Sequence, residues 1–177
     1  YCHDAISAKN ENTAINDNIR VYNSTFTYSI DAPFPLISHN HFIESGEGTN
    51  KGCHLVVIYQ NTMTSDVNNT AFIKIANNVL APFNDFTKIQ DNTLTNSLLN
   101  PTSSKGIEVT GNNSNTDIFC NNFTHLTYCI MNGGTLKDIG TPSRDAGNVF
   151  NDAAICIYNA EQYIYNYGTQ PLLRYYT

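Results

Sequence analysis

The closest grouping of side chains able to do chemistry is His39, His41 and His54, with Glu44 and Glu47 beside them. Histidines two residues apart on a strand share one face and offer the nitrogen ligands that a zinc-like ion takes. Asn40 lies between the two, where a bend would turn the rings apart. The preferred reading is one packed and one solvated histidine, with no metal. Asp91 and Asp117 are the acids nearest the repeated segments described below. Hydrolysis of a glycosidic bond needs two carboxylates across the scissile bond, and calcium-assisted elimination needs a carboxylate cluster with a Lys or Arg base. Neither set is complete, so no catalytic residue is assigned and Asp117 is kept as the acid of an alternative, enzymatic reading. Lys137, Asp138, Arg144 and Asp145 form a mixed-charge group that could meet an anion or a sugar and otherwise reads as solvated surface. Tyr22, Tyr59 and Phe119 recur at one place in the repeat and are candidate ligand-binding residues, because aromatic faces stack on sugars and partner surfaces. The chain has no Gly-x-Gly-x-x-Gly, phosphate loop, Gly-x-Ser-x-Gly elbow or Cys-x-x-Cys, which excludes those cofactor-dependent classes. No cofactor is expected.

What positions these residues is first bounded by composition. A chain of 177 residues is long enough for one domain with a sizeable core. Only 14% of residues are charged and the formal net charge is −6, so solubility must come from Asn, Thr and Ser. Nucleic acid is excluded as a partner, since the nine Lys and Arg are scattered and a phosphate-tracking surface needs them clustered. No apolar run approaches the roughly 18 residues of a membrane-spanning helix, so no membrane span is expected. Asn is depleted in ordinary strands and enriched at turns. Many short strands joined by tight corners reconcile its abundance with 41% hydrophobic content. Tyr1-Cys2-His3-Asp4 is an abrupt start that reads as a processed terminus or as part of a longer chain.

A recurring phrase specifies the strands: an aliphatic residue, two variable residues, Asn, one variable residue and a large apolar residue. It begins at Ile37, Ile58, Ile75, Ile89 and Ile118, with a variant at Val21 that carries Ser24 in place of Asn. Recurrence of this kind marks a solenoid. Side chains alternate along a strand, so the first and sixth positions should point inward and the second and fifth outward. The fourth position should be a bend at which Asn40, Asn61, Asn78, Asn92 and Asn121 form a structural ladder, each amide donating to and accepting from the next. The spacings between copies are uneven, at 16, 21, 17, 14 and 29 residues. Two stretches, 44–52 and 133–147, read as loops. A second echo, Tyr128-Cys129-Ile130-Met131-Asn132 against Ile155-Cys156-Ile157-Tyr158-Asn159, returns after 27 residues and predicts that Cys129 and Cys156 stack on adjacent strands. The five cysteines are read mainly as small buried hydrophobes.

Gly106-Ile107-Glu108-Val109 followed by Asn115-Thr116-Asp117-Ile118-Phe119-Cys120-Asn121-Asn122-Phe123 resembles right-handed parallel β-helix proteins of the pectin-lyase-like superfamily, over roughly residues 15 to 167. The Asn, Thr and Tyr content resembles large surface β-helix proteins of Bacteroidota. The resemblance implies an all-β, right-handed parallel β-helix with irregular coils, forming one domain over 1–177 that is a segment of a longer chain. In polygalacturonase-type relatives an Asn-Thr-Asp segment supplies one catalytic acid, which would be Asp117. The accompanying Asp-Asp, Gly-His-Gly and Arg-Ile-Lys segments are missing, so the segment reads here as a turn. The expected function is a non-enzymatic module, extracellular or at the cell surface, for adhesion, display or assembly. Its expected partners are a glycan or another surface protein, together with the rest of its parent chain. A polysaccharide hydrolase or lyase is the first alternative, and a subunit stacking end to end the second.

Overall fold

The computed structural model describes residues 4–8, 18–28, 41–45, 55–68, 71–76, 85–110, 114–133 and 147–159. Among them the only regular elements are strands: β1 (Asp4–Ala8), β2 (Asn18–Tyr22), β3 (Thr25–Tyr28), β4 (His41–Ser45), β5 (Leu55–Tyr59), β6 (Thr62–Ser65), β7 (Ala71–Ile75), β8 (Asp85–Gln90), β9 (Thr93–Asn96), β10 (Lys105–Val109), β11 (Ser114–Phe119), β12 (Asn122–Thr124), β13 (Tyr128–Asn132), β14 (Val149–Asn151) and β15 (Ile155–Asn159). No described helix is long and apolar enough to cross a membrane. The strands form three sheets. Sheet A runs β1-β4-β7-β10-β13-β15, sheet B runs β11-β8-β5-β2, and sheet C runs β14-β12-β9-β6-β3. Every pairing is parallel, and each strand pairs with its counterpart from the next passage of the chain through the three sheets.

Because pairing is in register, like residues stack on like. In sheet A, Ile6, Ile43, Ile73, Ile107, Ile130 and Ile157 occupy one row. In sheet B the inward row is Val21, Ile58, Ile89 and Ile118. Sheet C contributes Phe26, Met63, Leu94, Phe123 and Phe150. Where their side chains are described, the members of these rows meet in one apolar core, in which Ile58, Met63, Ile73, Ile89, Leu94, Ile107, Ile118, Phe123 and Ile130 are fully buried. β-branched residues suit this stacking because their restricted χ1 lets the branched side chain pack well against its neighbours on a pleated sheet.

In sheet A the alternation of inward and outward positions lapses. The second residues of β7, β10 and β13, which are Phe72, Gly106 and Cys129, are buried beside the Ile row. Gly106 is the small member of this set for a steric reason. A Cβ there would lie 2.6 Å from the Cys129 carbonyl oxygen and 2.7 Å from the Phe123 ring, which fills the space from sheet C. Phe123 stacks in turn on Phe150, with centroids 5.3 Å apart and planes within 10°. Ahead of β10 and β13, Ser104 and Thr127 exchange hydrogen bonds, each backbone N–H donating to the other's hydroxyl at 3.1 Å. Both are buried, and the reciprocity satisfies groups that would otherwise be costly.

Two copies of the six-residue phrase fall elsewhere than expected. Ile75 ends β7 and Phe42 is the second residue of β4, so the strand residues described for these two copies lie in sheet A and not at the step from sheet B to sheet C. Asn40 and Asn78 lie outside the described residues. The reason is that an aliphatic residue followed by Asn is common wherever strands end in an Asn-rich chain. Taking only the positions that stack, the repeats are 37, 31, 29 and 27 residues long, shortening along the chain. Glu44 and Ser45, expected in the first loop, are the last two residues of β4. The rest of both expected loops, apart from Gly133 and Gly147 at the limits of the second, lies outside the described residues, as do His39, His54, Glu47, Lys137, Asp138, Arg144 and Asp145.

Candidate functional site

A two-residue bend of one kind leads into each strand of sheet C, and in four of the five it follows a sheet B strand. Its first residue takes a left-handed conformation: Asn23 (φ 50), Gln60 (φ 56), Asp91 (φ 56), Cys120 (φ 55) and Gly147 (φ 58). That conformation costs a non-glycine residue roughly 1–2 kcal/mol. Its second residue offsets the strain. Asn92 Oδ1 accepts from the Asn61 backbone N–H and from Asn61 Nδ2, both at 3.0 Å. Asn92 Nδ2 donates to the Ile58 carbonyl and to Asn121 Oδ1, again at 3.0 Å. Two donor hydrogens and two lone pairs are thereby used, so the amide is saturated although it is almost wholly buried. Asn121 repeats the pattern onto Asn148, and Asn148 Nδ2 donates to the Ile118 carbonyl. Asn61 receives the Ser24 backbone N–H at 3.1 Å, so Ser24 takes the ladder position in the first of these repeats. Asn148 is a member that the six-residue phrase overlooks, because Asp145 stands where the phrase requires an aliphatic residue. The shorter signal, Asn-x-apolar after a turn residue, finds it.

The ladder fixes two outer faces. On sheet B the outward rows are Arg20, Val57, Lys88 and Asp117, and then Tyr22, Tyr59, Gln90 and Phe119. The Asn115-Thr116-Asp117 segment, read above as a turn, is instead part of strand β11, where Asp117 has Lys88 as its neighbour across the strand, and no second carboxylate stands among these eight positions. Asp91 lies at the bend, one residue beyond Gln90, which donates to its carboxylate at 3.1 Å. The three candidate aromatics differ in what they can offer. Tyr22 and Tyr59 stack on each other, with centroids 5.1 Å apart and planes within 11°, which uses one face of each ring. Phe119 is only 6% exposed, with the Lys88 ammonium 4.9 Å from its ring centre. An outward ring can be covered as well as open, and of the three only Tyr22 is more than a third exposed, at 50%.

The outer face of sheet C is of another kind. Its two rows are Thr25, Thr62, Thr93, Asn122 and Val149, and Thr27, Thr64, Thr95, Thr124 and Asn151. All ten are exposed or half-buried, and none is charged or aromatic. The first row follows the ladder residue directly. The backbone N–H groups of Thr62 and Thr93 donate to the Ser24 and Asn61 carbonyls at 2.9 and 2.8 Å, so the ladder sets the register of the row. Sequence reasoning had the first row as the outward fifth position and missed the second, which lies beyond the end of the phrase. Thr-x-Thr, repeated after the bend, was the available signal.

Cys129 and Cys156 face each other in register, because β13 and β15 pair Tyr128 with Ile155 and Ile130 with Ile157. Cys120, Cys129 and Cys156 are in the reduced, thiol form. Burial, and after it the facing Cys156, push the Cys129 thiol well above its ordinary value, so at neutral pH it is protonated and packs as a small hydrophobe. Among the described residues no three His, Cys, Asp or Glu come together in a group suited to a metal. Comparison with protein-family models, with curated proteins and with solved structures gives no match to this chain, so the reading of its function rests on its own geometry.

Proposed function

We propose that the three parallel sheets wind as a right-handed parallel β-helix of the pectin-lyase-like kind, and that this β-helix is a non-enzymatic binding module working outside the cell or at its surface. The observation that carries the reading is the outer face of sheet C: ten in-register positions, uncharged and Thr-rich, on a sheet whose register is held by a buried amide ladder. Such a face offers many equivalent weak contacts and no group able to activate water. That suits adhesion to an extended partner, whether a glycan or a protein surface, better than turnover of a soluble one. An enzymatic reading would rest on Asp117, whose described outward neighbours supply a lysine and the Phe119 ring in place of a second acid. Glycosidases of either stereochemistry place two carboxyl groups within about 5 to 10 Å of each other.

The wild-type chain and Asp117→Asn are expected to behave alike towards polygalacturonate and related uronans, with neither releasing reducing ends or unsaturated products. Product formation that disappears on Asp117→Asn would replace the binding reading by the enzymatic one. In cosedimentation with solid ligands, substitution of the sheet C threonines is expected to weaken binding, while substitution of Met131 on the outer face of sheet A should leave it unchanged.

A further inference from the structure

We propose that the outer face of sheet C binds ice. Parallel pairing sets neighbouring threonines of one row about 4.8 Å apart and the two rows about 6.7 Å apart along the strands. Both separations fall within about a tenth of the oxygen repeats on a prism face of ice, taking strand geometry as the measure. The match extends over five strands, from Thr25 to Val149 and from Thr27 to Asn151, a length of about 19 Å.

Three further features on this face favour a water lattice over other ligands. The threonine side chain is restricted at χ1, which limits the orientations its hydroxyl and methyl can take and favours an ordered array of bound water over the strands that carry it. Charge, which hydrates strongly and would break such an array, is missing from all ten positions, whereas the outer face of sheet B carries Arg20, Lys88 and Asp117 and that of sheet A carries Lys74 and Glu108. Aromatic rings, on which sugars stack, are missing from the ten positions as well. The register that the lattice match requires is fixed one residue earlier by the Asn61, Asn92 and Asn121 amides. The inference names a ligand for the face described above and rests on the binding reading to that extent.

The test uses the folded 177-residue chain in an ice recrystallisation assay and by adsorption to a growing ice surface. Wild-type protein is expected to arrest ice growth and to be enriched in the ice fraction. Thr95→Tyr, at the centre of the second row, is expected to raise the concentration required by about tenfold or more, a loss of about 1.4 kcal/mol of binding. Met131→Tyr is expected to match wild type. Circular dichroism and unfolding midpoints establish that each variant is folded. Should Thr95→Tyr fail to fold, Thr64→Lys reads the same face. Folded wild-type protein without effect on ice growth, or a folded sheet C variant as active as wild type, would overturn the proposal. Adhesion to a solid glycan through sheet C with no effect on ice would also overturn it, while leaving the binding-module reading in place.

Discussion

Asn92→Leu is expected to lower stability by about 2 to 6 kcal/mol, because it removes the acceptor for two buried donors at once and each orphaned group costs about 1 to 3 kcal/mol. The donors are the Asn61 backbone N–H and one hydrogen of Asn61 Nδ2, both 3.0 Å from Asn92 Oδ1. Asn121 Oδ1 keeps its bond from the residue 92 backbone, so the damage falls on the earlier repeat. A loss of this size is at the upper end for a single substitution and comparable with the whole stability of many domains. Ser24→Ala is the matched control. The Ser24 hydroxyl bonds only to the Tyr22 carbonyl on an exposed surface, and the backbone N–H that serves Asn61 survives the change. A shift within about 0.5 kcal/mol is expected there. Chemical denaturation of the three proteins side by side gives both numbers.

Gly106→Ala is expected to be the second most damaging change, at about 1 to 3 kcal/mol or somewhat more. The new methyl would meet the Cys129 carbonyl oxygen at 2.6 Å and two atoms of the Phe123 ring at 2.7 and 2.8 Å. The ring can be trimmed, but the carbonyl belongs to the β13 backbone and cannot yield without disturbing its pairing with β10. Gly106→Ala combined with Phe123→Leu should therefore recover only part of the loss relative to Phe123→Leu alone. Full recovery would mean that the ring alone sets the requirement for glycine.

How far the sequence reveals this architecture is clear from particular residues. The phrase around Asn61, Asn92 and Asn121 identifies three ladder amides and the inward rows on either side of them, because burial on both sides of a bend leaves a periodic record. The Cys129 and Cys156 echo identifies two strands that are adjacent in sheet A. What the phrase could not do was separate one corner from another. Ile37 and Ile75 begin sequences of the same form, and only the pairing of β4 and β7 assigns those strands to sheet A. Asn148 escaped because the residue three positions before it is an acid and its bend residue is glycine, so its membership depends on hydrogen bonding and not on hydrophobic pattern.

The outer faces were legible only in part, since exposure is a property of what lies above a strand and not of the strand itself. Phe119 shares its place in the repeat with Tyr22, yet Tyr22 is half exposed and Phe119 lies under the Lys88 side chain. The Thr rows of sheet C needed no such covering information. Their second row went unrecognised because Thr64, Thr95 and Thr124 stand one position past the motif that drew attention to the first.

The claim on which the rest depends is that a saturated amide ladder holds the sheet B to sheet C bends in register, and with them the threonine face. Side-chain amide hydrogen exchange in nitrogen-labelled protein tests it most directly. The NH2 groups of Asn61, Asn92, Asn121 and Asn148 are expected to exchange far more slowly than a free asparagine amide, with Asn92 and Asn121, in the interior of the ladder, the slowest. Exchange of these side chains at the rate of exposed asparagines would contradict it.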